Sequence, residues 1–137
     1  MDEQLIARAV LRGPDAIVAA DRDGVIRFWN AGAERIFGFT SAQALGQPLD
    51  LIIPGRLQAR HWAGWQRVMA SGQSRYGAAE LLAVPGVRQD GTPVSVEFTI
   101  HPVLDAVGQV LGLAATIRDV TERFNELREL RRRATGP

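Results

Sequence analysis

An Asp-Gly pair followed by strict alternation is the feature that most constrains this chain. After Asp90-Gly91, the residues Val94, Val96, Phe98 and Ile100 alternate with Ser95, Glu97, Thr99 and His101. That period of two marks a strand with one face on a core and the other toward water. Asp-Gly just ahead of such a run signals a hairpin, because glycine takes the positive φ that a tight turn needs. The apolar stretch before the turn, Ala78 to Val87, is then its antiparallel neighbour. Pro85 removes a ladder donor there and puts that strand at an edge or a bulge. Val110 to Ile117 makes a last strand. A second pair, Asp23-Gly24, joins Ala16–Ala20 to the alternating run Val25–Trp29. Two strands, several short helices and three more strands predict an α+β domain. Its centre is a five-stranded antiparallel sheet with helices packed on one face.

Local signals place the helices. Leu5, Ile6, Ala9 and Val10 share one side of an amphipathic segment over residues 2–12, which Gly13 and Pro14 end. Asn30 is a good N-cap for Ala31 to Phe37. Thr40 and Gln43 fit the capping box of a short helix closing at Gly46. Leu49 to Ile53 is a short apolar segment. At the far end, Asp119 and Glu122 read as the cap of a final helix. On it Val120, Phe124, Leu127 and Ala134 occupy a and d positions of a heptad, with Arg131 at the a position between. This predicts a cap helix over 1–13, a globular domain over 14–119 and a C-terminal helix over 120–137. The last would serve as an output connector or a dimer seam.

Composition narrows the function classes. A net charge of +1 gives no general attraction to nucleic acid or to membranes. The absence of cysteine removes disulfides, thiol nucleophiles, iron–sulfur clusters and cysteinyl-flavin photochemistry. With two histidines besides, an enzyme is the class that fits least. No apolar run has the length of a membrane span and the N-terminus is acidic and short for a signal peptide, so the expected location is cytoplasmic.

The stretch from Pro54 to Gly72 carries the candidate site. Pro54-Gly55 and Ser71-Gly72 bracket a helix in the expected order. Leu57, His61, Gly64, Trp65 and Val68 form one face of it, apolar except for His61. Gly64 leaves room for a flat group beside the imidazole, and Arg60 and Arg67 lie toward the flanks. Such a face suits a haem, with the ring nitrogen on iron and arginines at the propionates. The same residues also suit a plain core histidine with a satisfied hydrogen bond.

The runs WNAGAERIFGFTSAQALGQPL (29–49), RQDGTPVSVEFTI (88–100) and IRDVTER (117–123) resemble the signature of PAS sensor domains, across nearly the whole chain. The resemblance implies the five-stranded PAS sheet with flanking helices. It is closest in kind to the haem-binding PAS gas sensors, whose proximal histidine follows a segment similar to IIPGRLQARH (52–61). On that footing His61 is the iron ligand, Arg67 and Arg75 meet the propionates of a b-type haem, and Gly64 and Trp65 line its proximal side. Leu82 (or Leu81), Phe98 and Ile100 make an apolar distal wall. No arginine stands where the oxygen-sensing kinases aim one at bound oxygen, and GAAELL (77–82) offers no methionine as sixth ligand. The implied function is sensing of a diatomic gas, carbon monoxide over oxygen, without catalysis. The signal would pass through the C-terminal helix to an output domain, in a homodimer, with no direct nucleic-acid or membrane partner. The alternatives are a cofactor-free PAS dimerisation module and a PAS domain that binds a flavin or an apolar metabolite.

Overall fold

A computed structural model describes residues 1–71 and 81–136. The chain runs α1 (Glu3–Leu11), β1 (Ala16–Asp21), β2 (Ile26–Trp29), α2 (Ala31–Phe37), α3 (Ser41–Ala44), a 3-10 turn (Leu49–Ile52) and α4 (Gly55–Ser71). It continues through β3 (Leu82–Val87), β4 (Pro93–Leu104), β5 (Val110–Asp119) and α5 (Thr121–Thr135). The five strands form one sheet in the order β2-β1-β5-β4-β3, and every pairing is antiparallel.

The local chemistry explains most boundaries. Gly24 and Gly91 take φ of 77° and 84° in their turns, the left-handed region where a side chain is strained. The Asn30 side chain caps α2 through the Ala33 N–H at 2.9 Å. Thr40 and Gln43 form both halves of the capping box on α3. Pro85 sits on β3, an edge strand, where a missing donor costs no central ladder bond. The segment Leu49–Ile52, read only as apolar, is a 3-10 turn. β4 runs four residues past Ile100, because Asp105 to Gly108 forms a further tight turn that returns the chain into β5.

One expected cap differs. Asp119 pairs with Val96 as the last residue of β5, so its backbone is committed to the sheet. Its carboxylate accepts instead from the N–H of Thr121 at 2.9 Å and from the Thr121 hydroxyl at 2.6 Å. α5 itself starts after Val120 without a side-chain cap.

The core lies between one sheet face and the helices. Ala16, Val18, Ile26, Trp29, Ala33, Phe37, Val94, Val96 and Ile117 make its larger part. A smaller part holds Ala20, Trp65 and Leu113, with Trp62, Val68, Met69, Leu49 and Ile100 against them. Cross-strand partners share a face, so Leu82, Phe98, Ile117 and Ala16 form one inward row, and Ile100, Ala115 and Val18 the next. α4 meets this face mainly through its tryptophans, while its backbone stands off.

Candidate functional site

α4 presents the predicted face. Trp65 is buried, and Leu57, His61, Gly64 and Val68 are half-buried along the same side. The Trp65 indole donates to the Arg22 carbonyl at 2.8 Å. The Arg22 guanidinium donates to the carbonyls of Val110 (2.7 Å) and Met69 (3.1 Å). Arg22 therefore clips the end of α4 to the start of β5.

His61 forms a three-ring cluster with two indoles, whose own centroids are 5.9 Å apart. Its ring centroid lies 4.7 Å from that of Trp62, edge-on, and 5.9 Å from that of Trp65. Its Nδ1 is buried and has no hydrogen-bond partner. Burial holds the imidazole pKa below its ordinary value, while the Asp50 carboxylate opposes that shift. The ring is therefore neutral at pH 7, the form that ligates a metal. No hydrogen bond or ion pair joins Asp50 to the histidine among the described residues; Asp50 Oδ1 accepts the Trp62 indole N–H at 2.6 Å. The far edge of that indole lies across Gly24, where any side chain would overlap it.

Gly64 opens the surface beside His61. A Cβ placed there would meet only Nη2 of Arg67, at 3.8 Å. Arg67 is exposed and forms no ion pair among the described residues. On the sheet, Leu82, Phe98 and Ile100 all face the helix layer and remain half-buried. Phe98 packs on the larger core and Ile100 on the part that contains Trp65. The structure thus gathers His61, Gly64, Trp65 and Arg67 on one helix and sets the apolar wall on the facing sheet. Arg75 lies outside the described residues. Leu81 is more exposed than Leu82, which takes the inward position opposite Phe98.

What this face offers a haem is one neutral imidazole beside open space at Gly64. With Nδ1 buried, Nε2 is the nitrogen that would ligate, and Nδ1 would then be an N–H donor with no acceptor among the described residues. Among the described residues no three histidine, aspartate or glutamate side chains cluster as a metal site. A single imidazole suffices to hold iron when a macrocycle supplies the other donors. His61 would be that ligand, with Arg67 placed for a carboxylate at the rim.

Sequence reasoning missed three residues here. Trp62 is next to His61 but off the counted stripe. Asp50 and Arg22 are 11 and 39 positions away in the chain, and no periodicity joins them to the helix. His101 was expected on the solvent face, and it is exposed on the outer side of the sheet with Thr99 Oγ1 3.1 Å from its Nε2.

Comparison with known proteins gives a consistent picture. A family model described as the PAS fold matches residues 12–125. An uncharacterized protein of Azorhizobium caulinodans is 35% identical over 121 residues, covering 88% of this chain and 16% of that protein. The sensor protein FixL of Bradyrhizobium diazoefficiens is 28% identical over 109 residues, covering 80% of this chain and 21% of FixL. The chain thus spans about a fifth or less of these relatives. Among solved structures, an RNA-binding light-oxygen-voltage receptor superposes with a TM-score of 0.75 at 24% identity, covering 97% of this chain and 37% of that one.

Proposed function

The chain belongs to the PAS family, and on that premise we propose that it is a haem-binding sensor domain in which His61 is the iron ligand. The observation that carries the reading is a neutral His61 on the half-buried face of α4, beside the open surface at Gly64. The resemblance of residues 52–61 to the proximal segment of haem-binding PAS sensors and the likeness to FixL support it.

Haem would supply an iron centre able to take a diatomic gas. The chain's own residues do the rest. His61 offers a neutral nitrogen, Trp62 and Trp65 pack against the imidazole, and Gly64 leaves the space a planar group needs. Arg67 is placed to pair with a propionate. Leu82, Phe98 and Ile100 exclude water and offer no side-chain donor to a polar gas, which favours carbon monoxide over oxygen. β4 and β5 lead from this wall to the root of α5, where Ser95 donates its N–H to Thr121 Oγ1 at 3.0 Å. The domain signals through that root and catalyses nothing itself. No described helix is long and apolar enough to cross a membrane, and we place the domain in the cytoplasm.

The test is spectroscopic. Purified protein reconstituted with haem should show a Soret band that shifts on reduction and again with carbon monoxide. His61→Ala should abolish the six- or five-coordinate histidine spectrum and recover it with free imidazole. An unchanged spectrum in that variant overturns the assignment. A yellow protein as isolated, with no uptake of haem, favours a flavin instead.

A further inference from the structure

We propose that Arg22 is a latch on the far end of α4, and that the helix opens at that end, about its root at the 3-10 turn, to admit and release what binds beside His61. This role rests on the reading of that face as a binding site, and adds what controls access to it.

The two ends of α4 are held differently. At the root, each tie is to the chain that leads into the helix. The Leu57 N–H donates to the Pro54 carbonyl at 2.9 Å, the Gln58 amide to the Ile53 carbonyl at 3.1 Å, and the Trp62 indole to Asp50. That approach is itself fastened. The Leu49 N–H donates to the Gly24 carbonyl at 3.0 Å, and Leu51 and Ile52 pack on the larger core. Beyond Trp62, the hydrogen bonds that join α4 to another described element all involve Arg22. The packing there is the smaller cluster, Trp65, Val68 and Met69 against Ala20, Leu113 and Ile100. The far end can therefore lift without parting the larger core, and lifting it uncovers Ile100 on the wall that faces His61.

Arg22 suits this task chemically. Met69 is in the last turn of α4, where carbonyls lack a partner within the helix. That turn carries no basic residue of its own. The Arg22 guanidinium supplies the missing donor, at 3.1 Å, and with it the cation that a helix C-terminus favours. The same guanidinium donates to the Val110 carbonyl at 2.7 Å, at the start of β5, and the Arg22 carbonyl accepts the Trp65 indole N–H at 2.8 Å. A planar fork with several donors can hold two carbonyls of different elements at once, which a lysine ammonium does less well. Arg22 is exposed and forms no ion pair among the described residues, so its bonds can break into water at little cost.

Stopped-flow haem uptake by the full chain, and haem transfer from it to apomyoglobin, test the latch. In Arg22→Ala both rates should rise by about twofold to tenfold, what the net loss of one hydrogen bond gives. The dissociation constant should stay nearly unchanged, because the closed form is weakened equally with and without haem. Arg22→Lys, which keeps the cation but not the fork, should fall between. A second measurement needs no ligand. In the apoprotein, solvent exchange of the Trp65 indole N–H, at the latched end, should quicken by a similar factor in Arg22→Ala, while that of the Trp62 indole N–H, at the root, should hold. Three results overturn the latch: release that rises with uptake unchanged, which makes Arg22 a contact of the bound group; uptake and release both unchanged; or indole exchange that rises equally at Trp62 and Trp65 or at neither. Failure of the unaltered protein to take up haem overturns the haem reading instead, and indole exchange then decides the latch by itself.

Discussion

Gly64→Ala should strengthen the folded protein and weaken its hold on haem. Gly64 is in the interior of α4, where glycine costs about 0.5–1 kcal/mol relative to alanine. The new methyl meets only the Arg67 guanidinium, at 3.8 Å, which is ordinary contact with the end of a flexible side chain. No packing penalty offsets the helix gain, so the apoprotein should rise by about 0.5–1 kcal/mol, or roughly 2–6 °C in Tm. If a planar group seats over this glycine, the same methyl enters a packed contact, where one added carbon costs about 1–3 kcal/mol. Haem affinity should then fall by about fivefold to a hundredfold, and further in Gly64→Leu. Urea unfolding of the apoprotein gives the first quantity, and haem transfer to apomyoglobin gives the second. Destabilisation of the apoprotein would show an unplaced neighbour over Gly64. Undiminished haem affinity in both variants would remove this face of α4 from the site.

Asn30→Ala should cost about 4 kcal/mol in urea unfolding. The amide accepts from the Ile17 and Ala33 N–H groups and donates to the Leu11 and Asp15 carbonyls, and each orphaned group in a buried setting costs about 1 kcal/mol or more; a loss under 1 kcal/mol would mean water replaces it. The lowered His61 pKa makes the folded state bind fewer protons than the unfolded chain in acid. Its contribution is therefore intact above the ordinary imidazole range and lost as pH falls through that range toward the depressed folded value, and His61→Gln should flatten that part of the stability curve. Asp50→Asn should lower the His61 pKa further in an NMR titration, because the carboxylate favours the charged ring; a rise would contradict the placement. Arg22→Ala should raise amide exchange at the C-terminal turn of α4, since it removes the bonds to Met69 and Val110.

What was legible in the sequence was local. The Asp-Gly turns, the Asn30 cap and the Thr40–Gln43 box each close within a few residues, and each is where the spacing placed it. Period-two alternation fixed which side of β4 faces inward, and with it Phe98 and Ile100. Strand order was not legible. β5 lies at the centre of the sheet, with β1, about a hundred residues earlier, on one side of it, and no pattern within either strand names that partner. The same division runs through the candidate site. Helical periodicity turned His61 toward the sheet, but it could not say what the imidazole would find there. A carboxylate on His61 would have made an ordinary satisfied core histidine, held nearer its charged form. Asp50 is in position to exert that pull, yet the hydrogen bond its Oδ1 makes is with the Trp62 indole. Trp62 in turn lies where it does because Gly24, in a turn whose positive φ already demanded glycine, has no side chain to stop it. The surroundings of the imidazole are therefore set by three distant segments, the hairpin turn, the 3-10 turn and α4. Substituting any of Gly24, Asp50 or Trp62 should change His61 before it changes the fold.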